Sequence, residues 1–546
     1  MDVPWLQHYD EGVPRTIGTY PDKTLVDFVR EHAEAKPDAP ALIFKGRPLS
    51  WRKLDRQSDA LAGALRRDGV KAGDRVALLL PNCPQFVISE LAIWKLGAIV
   101  APENPIYTDE ELIDSLGETT PRVAIVLSPF YGQMKRIQSR TTVTRVIVTN
   151  IKEYLPPLSR VLFTLLRERK EGHRVDLDLL DASFRKLLKT PPANYYTPPR
   201  PGDPALIIMS GGTTGTAKGV LTDHRGLVIA GTQIGAWLHE ALEGPQASVM
   251  LPLPLFHMYG CTGAQSITFL RGIPLILIPN PRDIDDVVQS IQRDRPALFA
   301  GVPTLFNALL NHPDVISGKA DFHSIRACFS GASALMAETK RRFEEITGGR
   351  IVEGYSLTEA GMACCVNPLR GEYKIGSVGM PLPDVLVQII DGEIVIQAPQ
   401  LMCGYWDAPE ATAEIIRDGW LYTGDLGTMD SDGYVFITDR KKDLIKTSGF
   451  QVWPREVEEV IAEHPSVAEV GVAGLPDPIK SEIVVAWIVP RPGETVDAET
   501  IRAHCRQKLA PYKVPVRVEI RESLPKTMVG KVLRRELVAE ALRPSP

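Results

Sequence analysis

Short apolar runs alternate with helix-spaced apolar positions along the first 150 residues. Residues 24–36 and 51–68 repeat apolar side chains at intervals of three and four, and Ser50 stands where the second segment needs an N-cap. Val76 to Leu80 is a continuous apolar run of strand length, Pro84 to Leu96 returns to helix spacing, and Ile99 to Ala101, Arg122 to Leu127 and Arg145 to Val148 are strand-like again. Strand and helix alternating at this spacing predict parallel βαβ units, hence an α/β sheet covered on both faces. Further on, apolar runs at 205–209, 249–256, 327–329 and 351–352 each lead into a stretch of small, hydroxyl-bearing or aromatic residues. From residue 376 the pattern changes to short strands and turns at 385–390, 393–397 and 434–438, a β-rich module. A charge run, Asp439-Arg440-Lys441-Lys442-Asp443, precedes a last segment with helices at 456–462, 498–509 and 532–542 and strands at 468–473, 483–489 and 516–520. The predicted fold class is α/β: a large N-terminal domain, 1–439, of sheets flanked by helices, with a β-rich subdomain at about 376–439, and a small α+β C-terminal domain, 440–546.

Length and composition narrow the classes. The chain has 546 residues, room for about three or four units at roughly 100–200 residues each. A net charge of −5 gives no reason to expect a nucleic-acid partner. The N-terminus lacks the basic-then-apolar layout of a signal peptide, and the stretch Phe86 to Ala101 is too short and too charged to span a bilayer. Seven scattered cysteines, with no Cys-x-x-Cys pair, argue against a zinc cage or disulfide framework and for a reducing compartment. The expected location is cytoplasmic, with peripheral contact at the inner face of a membrane as an option. That option rests on residues 154–170, where an apolar patch runs into Arg167-Glu168-Arg169-Lys170. The competing reading is a helix packed on the protein's own sheet.

The candidate chemistry centres on Ser210-Gly211-Gly212-Thr213-Thr214-Gly215-Thr216-Ala217-Lys218-Gly219. Glycines let the backbone approach a ligand, hydroxyls and free N–H groups donate, and Lys218 supplies a cation, a set suited to a polyphosphate. It is not the nucleoside-triphosphatase loop, which needs Gly-Lys-Ser/Thr opening a helix; Gly219 follows the lysine here. His257, alone in an apolar run, reads by itself as a core residue. Gly530-Lys531 reads by itself as a solvated turn.

Taken together, these stretches resemble the adenylate-forming superfamily, specifically acyl-CoA synthetases, over roughly residues 25 to 540. The Gly/Thr loop is similar to the family's phosphate-binding loop. Glu353-Gly354-Tyr355-Ser356-Leu357-Thr358-Glu359 is similar to its Tyr-Gly-x-Thr-Glu motif, and Tyr422-Thr423-Gly424-Asp425 to its Tyr/Arg-Thr-Gly-Asp motif. Residues 439–446 resemble its hinge and Pro525 to Lys531 its C-terminal lysine motif. Gly211 stands where many members carry serine, Ala217 where many carry proline, and Ser356 replaces the commoner glycine.

The resemblance implies a two-step reaction. ATP and a carboxylate give acyl-AMP and pyrophosphate; CoA then displaces AMP. It implies nucleotide contacts from Ser210, Gly211, Gly212, Thr213, Thr214, Gly215, Lys218, Gly331, Ala332, Gly354, Tyr355 and Ser356. Asp425 would bind the ribose with Arg440 nearby, Thr358 a phosphate oxygen, and Glu359 Mg²⁺. Lys531 would act in adenylation. A mobile C-terminal domain would then pivot at Lys442 and bring in Lys446, Ser448, Gly449, Phe450 and Gln451 for CoA. His257 would lie between acyl site and thiol path. The family's acyl pocket runs near residues 230–263 and 301–307, where Ala230, Gly231, Gly235, Gly260, Gly263 and Gly301 are expected to leave room for a long-chain fatty acid. Alternatives are a medium-chain or aryl-acid CoA ligase, a ligase charging a carrier protein, a luciferase-like oxygen-using enzyme, and a non-catalytic acyl-nucleotide-binding protein. A homodimer is a further option.

Overall fold

The computed structural model describes residues 3–191, 198–210, 217–331, 335–491, 493–527 and 530–543. Its helices form where apolar spacing and capping agree. Leu25–Ala35 begins behind Thr24, whose hydroxyl accepts from the Asp27 N–H while the Asp27 carboxylate accepts from the Thr24 N–H. Trp51–Arg67 is capped by Ser50, which accepts from the Lys53 N–H. Pro84–Trp94 is buried at every position, as an all-round apolar helix must be.

Two large sheets form the N-terminal domain. In one, Pro204–Met209, Ile99–Pro102, Arg75–Leu79, Val123–Leu127, Arg145–Thr149 and Ala182–Ser183 lie side by side and parallel. Gly219–Asp223 folds back antiparallel on Pro204–Met209, and Gly404–Tyr405 adds at the edge. In the other, Pro40–Phe44, Leu275–Leu277, Val249–Leu251, Leu298–Gly301, Ala327–Ser330 and Arg350–Leu357 are parallel. Asn82 stitches the two sheets together: its amide donates to the carbonyls of Leu251 and Leu253, and its oxygen accepts from the Leu255 N–H. One apolar core runs through both, and a second covers the other face of the first sheet around Leu79, Val126 and Val146.

A third sheet begins at Leu386–Ile390 and continues through Glu393–Gln397, Trp420–Met429 and Val435–Arg440. Met380–Pro381, inside the expected β-rich stretch, pairs instead with Met362–Val366 in the second large sheet. The smaller C-terminal domain has its own sheet, in which Val467–Asp477 and Ser481–Pro490 form a long hairpin joined by Ile445–Thr447, Phe450–Val452 and Arg517–Ile520. Separate cores fill its two faces.

No helix among the described residues is long and apolar enough to cross a membrane. All seven cysteines are free and all but Cys403 buried.

Candidate active site

A cleft of about 2980 Å³ opens where the strand ends of both large sheets meet the third sheet and the C-terminal domain. Lys218, Glu359, Asp425, Arg440 and Lys531, from five separate stretches of sequence, all line it.

The neck of the Gly/Thr loop is closed by its own flanks. The Ser210 N–H donates to the Lys218 carbonyl at 2.8 Å, and the Lys218 N–H donates to the Ser210 hydroxyl at 3.3 Å. Gly219 packs so tightly that a Cβ there would lie 2.7 Å from the Ile207 side chain, so the glycine is a packing requirement. Gly211, Gly212, Thr213, Thr214 and Gly215, like Ala332, lie outside the described residues.

The strand Arg350–Leu357 carries Gly354, Tyr355 and Ser356 to the cleft and delivers Thr358 and Glu359 just past its end. The Tyr355 hydroxyl donates to Asp425 at 2.6 Å. Asp425 sits opposite Arg440 in the antiparallel register of Trp420–Met429 and Val435–Arg440, and the guanidinium meets its other oxygen at 2.8 Å. Burial opposes the Arg440 charge, but Asp425 together with Tyr355, Asp443 and Glu359 outweighs it and holds the guanidinium pKa above its usual value. Gly331 follows the strand Ala327–Ser330, with the ring of Tyr259 beside it.

Tyr405 is a neighbour that no motif signalled. Its hydroxyl donates to Glu359 at 2.9 Å, and the Lys218 ammonium lies 5.0 Å from its ring centroid. It arrives on a two-residue strand paired with Val220 and Leu221, a contact that depends on tertiary folding and leaves no periodic trace. Tyr259 was missed likewise; its hydroxyl bonds the Phe329 carbonyl at 2.6 Å. It opens a π-helix, Tyr259–Gln265.

His257 lines the same cleft, and burial pushes its imidazolium pKa down to about 4. Its Nδ1 accepts from the Tyr259 N–H at 3.2 Å. A ring neutral at pH 7 with so low a pKa is a weak base.

Lys531 is held by a small hairpin: the Thr527 N–H donates to its carbonyl at 2.9 Å, and its own N–H donates to the Thr527 hydroxyl at 3.1 Å. Gly530, at φ +80°, is seated against Thr304 of the N-terminal domain. Burial, reinforced by the nearby Arg440 charge, lowers the Lys531 pKa to about 8. Lys446, Ser448, Gly449, Phe450 and Gln451 are exposed and do not line the cleft. Ser448 and Gly449 both take positive φ, and Phe450 stacks on Tyr512 with centroids 4.5 Å apart. Lys442 lies in the turn between Val435–Arg440 and Ile445–Thr447.

Of the five glycines expected to leave room for an acyl chain, four are packed closed here, and Gly235 has only the Arg271 side chain, 3.4 Å from where a Cβ would sit. A Cβ on Gly231 would meet Leu270 and Ser266, one on Gly260 the Pro254 carbonyl, one on Gly263 the Met362 side chain, and one on Gly301 the Phe306 ring. These glycines allow close packing of elements. Met258, Tyr259 and Met362 are among the apolar residues that line the cleft.

Comparison with known proteins gives the same picture along the whole chain. The family model described as AMP-binding enzyme matches residues 29–406, and that of the AMP-binding enzyme C-terminal domain matches 456–531. A long-chain-fatty-acid–CoA ligase of Bacillus subtilis (strain 168) is 38% identical over 98% of each chain, and one of Escherichia coli O157:H7 is 36% identical over 99% of each. Among solved structures, the anthranilate CoA ligase AuaEII in complex with anthranoyl-AMP superposes with a TM-score of 0.82 at 26% identity, covering 96% of this chain and 97% of that one. A Mycobacterium tuberculosis fatty acyl CoA synthetase gives 0.71 at 26% identity, covering 95% and 99%.

Proposed function

The chain belongs to the AMP-binding enzyme family, and from that premise we propose that it is an ATP-dependent ligase that joins a long-chain fatty acid to CoA through an acyl-AMP intermediate. One observation carries the chemistry: the cations, hydroxyls and carboxylates of five distant motifs line a single cleft. Near-full-length likeness to long-chain-fatty-acid–CoA ligases, together with the apolar lining from Met258, Tyr259 and Met362, supports the long-chain substrate.

A carboxylate oxygen is a poor leaving group, so the acid must first become a mixed anhydride. In this reading the substrate carboxylate attacks the α-phosphate of ATP and pyrophosphate leaves. Lys218 and the Gly/Thr loop hold the outer phosphates. Asp425 accepts hydrogen bonds from the ribose hydroxyls, its position fixed by Arg440 and the Tyr355 hydroxyl. Lys531 offsets the charge that builds on the α-phosphate and carboxylate oxygens, the kind of preorganised contact that stabilises a transition state. Thr358 donates to a phosphate oxygen. In the second step the CoA sulfur attacks the acyl carbon and AMP leaves, with the Ser448–Gln451 turn carried to the cleft.

Glu359 suits Mg²⁺. One of its oxygens accepts from Tyr405, and no cluster of three or more His, Cys, Asp or Glu side chains fit for a metal occurs among the described residues. A single carboxylate beside a polyphosphate matches the way this ion is bound, with nucleotide oxygens and water as the remaining ligands. When bound, the ion neutralises phosphate charge.

The test is a panel of carboxylic acids of graded chain length, assayed for AMP release with and without CoA. Each buried CH₂ contributes roughly 0.8 kcal/mol, so KM should fall with length until the apolar site is filled. A rate profile that peaks at acetate or benzoate overturns the long-chain reading, and AMP release that never depends on CoA overturns the ligase.

A further inference from the structure

We propose that the outer face of the helix Pro157–Leu166, with the basic segment that follows it, docks on an anionic lipid bilayer. Leu158, Val161, Leu162, Leu165 and Leu166 recur at intervals of three and four and therefore share one face. That face is bare: Leu158 is 72% exposed, Leu165 75% and Leu166 70%, whereas Phe163 on the opposite side is 8% exposed.

The helix cannot turn this face inward. Phe163 packs edge-on against His173, with centroids 5.1 Å apart. Arg160 donates to the carbonyls of Lys152 at 3.0 Å and Glu153 at 2.6 Å, and Arg47 donates to the Leu155 carbonyl at 2.9 Å. The underside is thus satisfied and fixed, and the leucines are presented by a rigid support.

Charge selects the occupant. The exposed residues Arg169, Lys170 and Arg174 follow the helix, and none forms an ion pair among the described residues. From Pro157 to Val175 five basic residues face two acidic ones, in a chain whose net charge is −5. An apolar face bordered by unpaired cations matches the boundary between acyl chains and anionic headgroups. A second copy fits less well. Ten residues make a helix roughly 15 Å long, and one such face falls short of the roughly 800 Å² per partner of a stable dimer. A bilayer is also where a long-chain acid would be met, although the inference stands on the surface alone.

The full-length protein is floated with phosphatidylcholine vesicles, with and without phosphatidylglycerol. Binding is expected only with the anionic lipid and should be released by high salt. Leu158→Ser combined with Leu162→Ser and Leu165→Ser should lower the bound fraction about ten-fold or more. Arg169→Gln combined with Lys170→Gln and Arg174→Gln should do likewise, about ten-fold. Both variants should keep the wild-type melting temperature and turnover of a short, soluble acid. Absence of flotation, or equal flotation of wild type and both variants, overturns the proposal. So does a lipid-free dimer that the leucine variant dissociates, because the face is then a contact between copies. Turnover reports on the proposed reaction and flotation on the surface, so either can fail alone.

Discussion

The Lys531 ammonium stands in a half-buried position beside Arg440, and both surroundings favour its neutral form. Its pKa of about 8 therefore predicts an alkaline limit on adenylation. The free enzyme holds the charged form below that value and loses it as pH rises through it. In pyrophosphate exchange, kcat/KM for ATP should fall above pH 8, because this parameter follows the free enzyme. Lys531→Arg, which stays charged, should move the limit upward. Lys531→Ala should cost about 10²–10³-fold in exchange while supplied acyl-AMP is still converted to thioester. An unchanged alkaline limb in the arginine variant would assign it to another group. The motif residues were readable in the sequence because each set is contiguous. Tyr405, Tyr259 and Thr304 were not, because each meets the site through a fold contact between segments remote in sequence.

Among elements, the helices and parallel strands follow the apolar pattern closely. Pro84–Trp94 was readable as a helix, but its partner was not. Glu90 on this helix meets Gln265 at the end of the π-helix Tyr259–Gln265, with the amide donating to the carboxyl. Among the described residues the remaining oxygen of each side chain has no partner. Burial raises the Glu90 pKa from 4.5 to about 8, so the carboxyl is protonated at neutral pH and brings a donor to the pair. The sign follows from linkage. Between pH 4.5 and 8 the folded chain keeps a proton that the unfolded chain releases, so the stabilisation is complete below 4.5 and is lost as pH rises through 8. Glu90→Gln has nothing to ionise. Its stability should depend less on pH from 5 to 9 than that of wild type and exceed it on the alkaline side, by on the order of a few kcal/mol, read as a higher melting temperature there. Parallel melting curves for the two proteins would show that Glu90 is ionised or solvated. The glycines of this region were misread for a related reason: a small residue in the sequence marks both a cavity and a close packing contact, and the Met362 and Phe306 side chains decide between them.

At the scale of the whole molecule, the C-terminal domain has one working face in the cleft and another outside it. Lys531 points into the cleft, Gly530 rests on Thr304, and the Asp439 carboxylate accepts from the Arg455 N–H at 2.8 Å, capping the helix Pro454–Ala462 from across the linker. The Ser448–Gln451 turn meanwhile faces solvent. In the proposed reaction this arrangement corresponds to the adenylation step. The sequence implied two faces through its two motifs but carried no signal of which would be engaged, since that depends on the balance of contacts between domains. If both faces serve one nucleotide, the domain must turn, and the short linker after Arg440 is where the chain passes from one domain to the other. There the Asp443 N–H closes a tight turn on the Arg440 carbonyl at 3.0 Å, and the Lys442 N–H donates to no protein acceptor among the described residues. Proline at Lys442 removes no hydrogen bond from the present arrangement but fixes φ. Lys442→Pro should therefore retain pyrophosphate exchange and lose most of the conversion of acyl-AMP to acyl-CoA, while Lys442→Ala retains both. Stopped-flow measurement of the two half-reactions separates these outcomes. Full thioester turnover in the proline variant means that the domain pivots elsewhere, and loss of exchange alone means that the turn supports adenylation instead of the passage between steps.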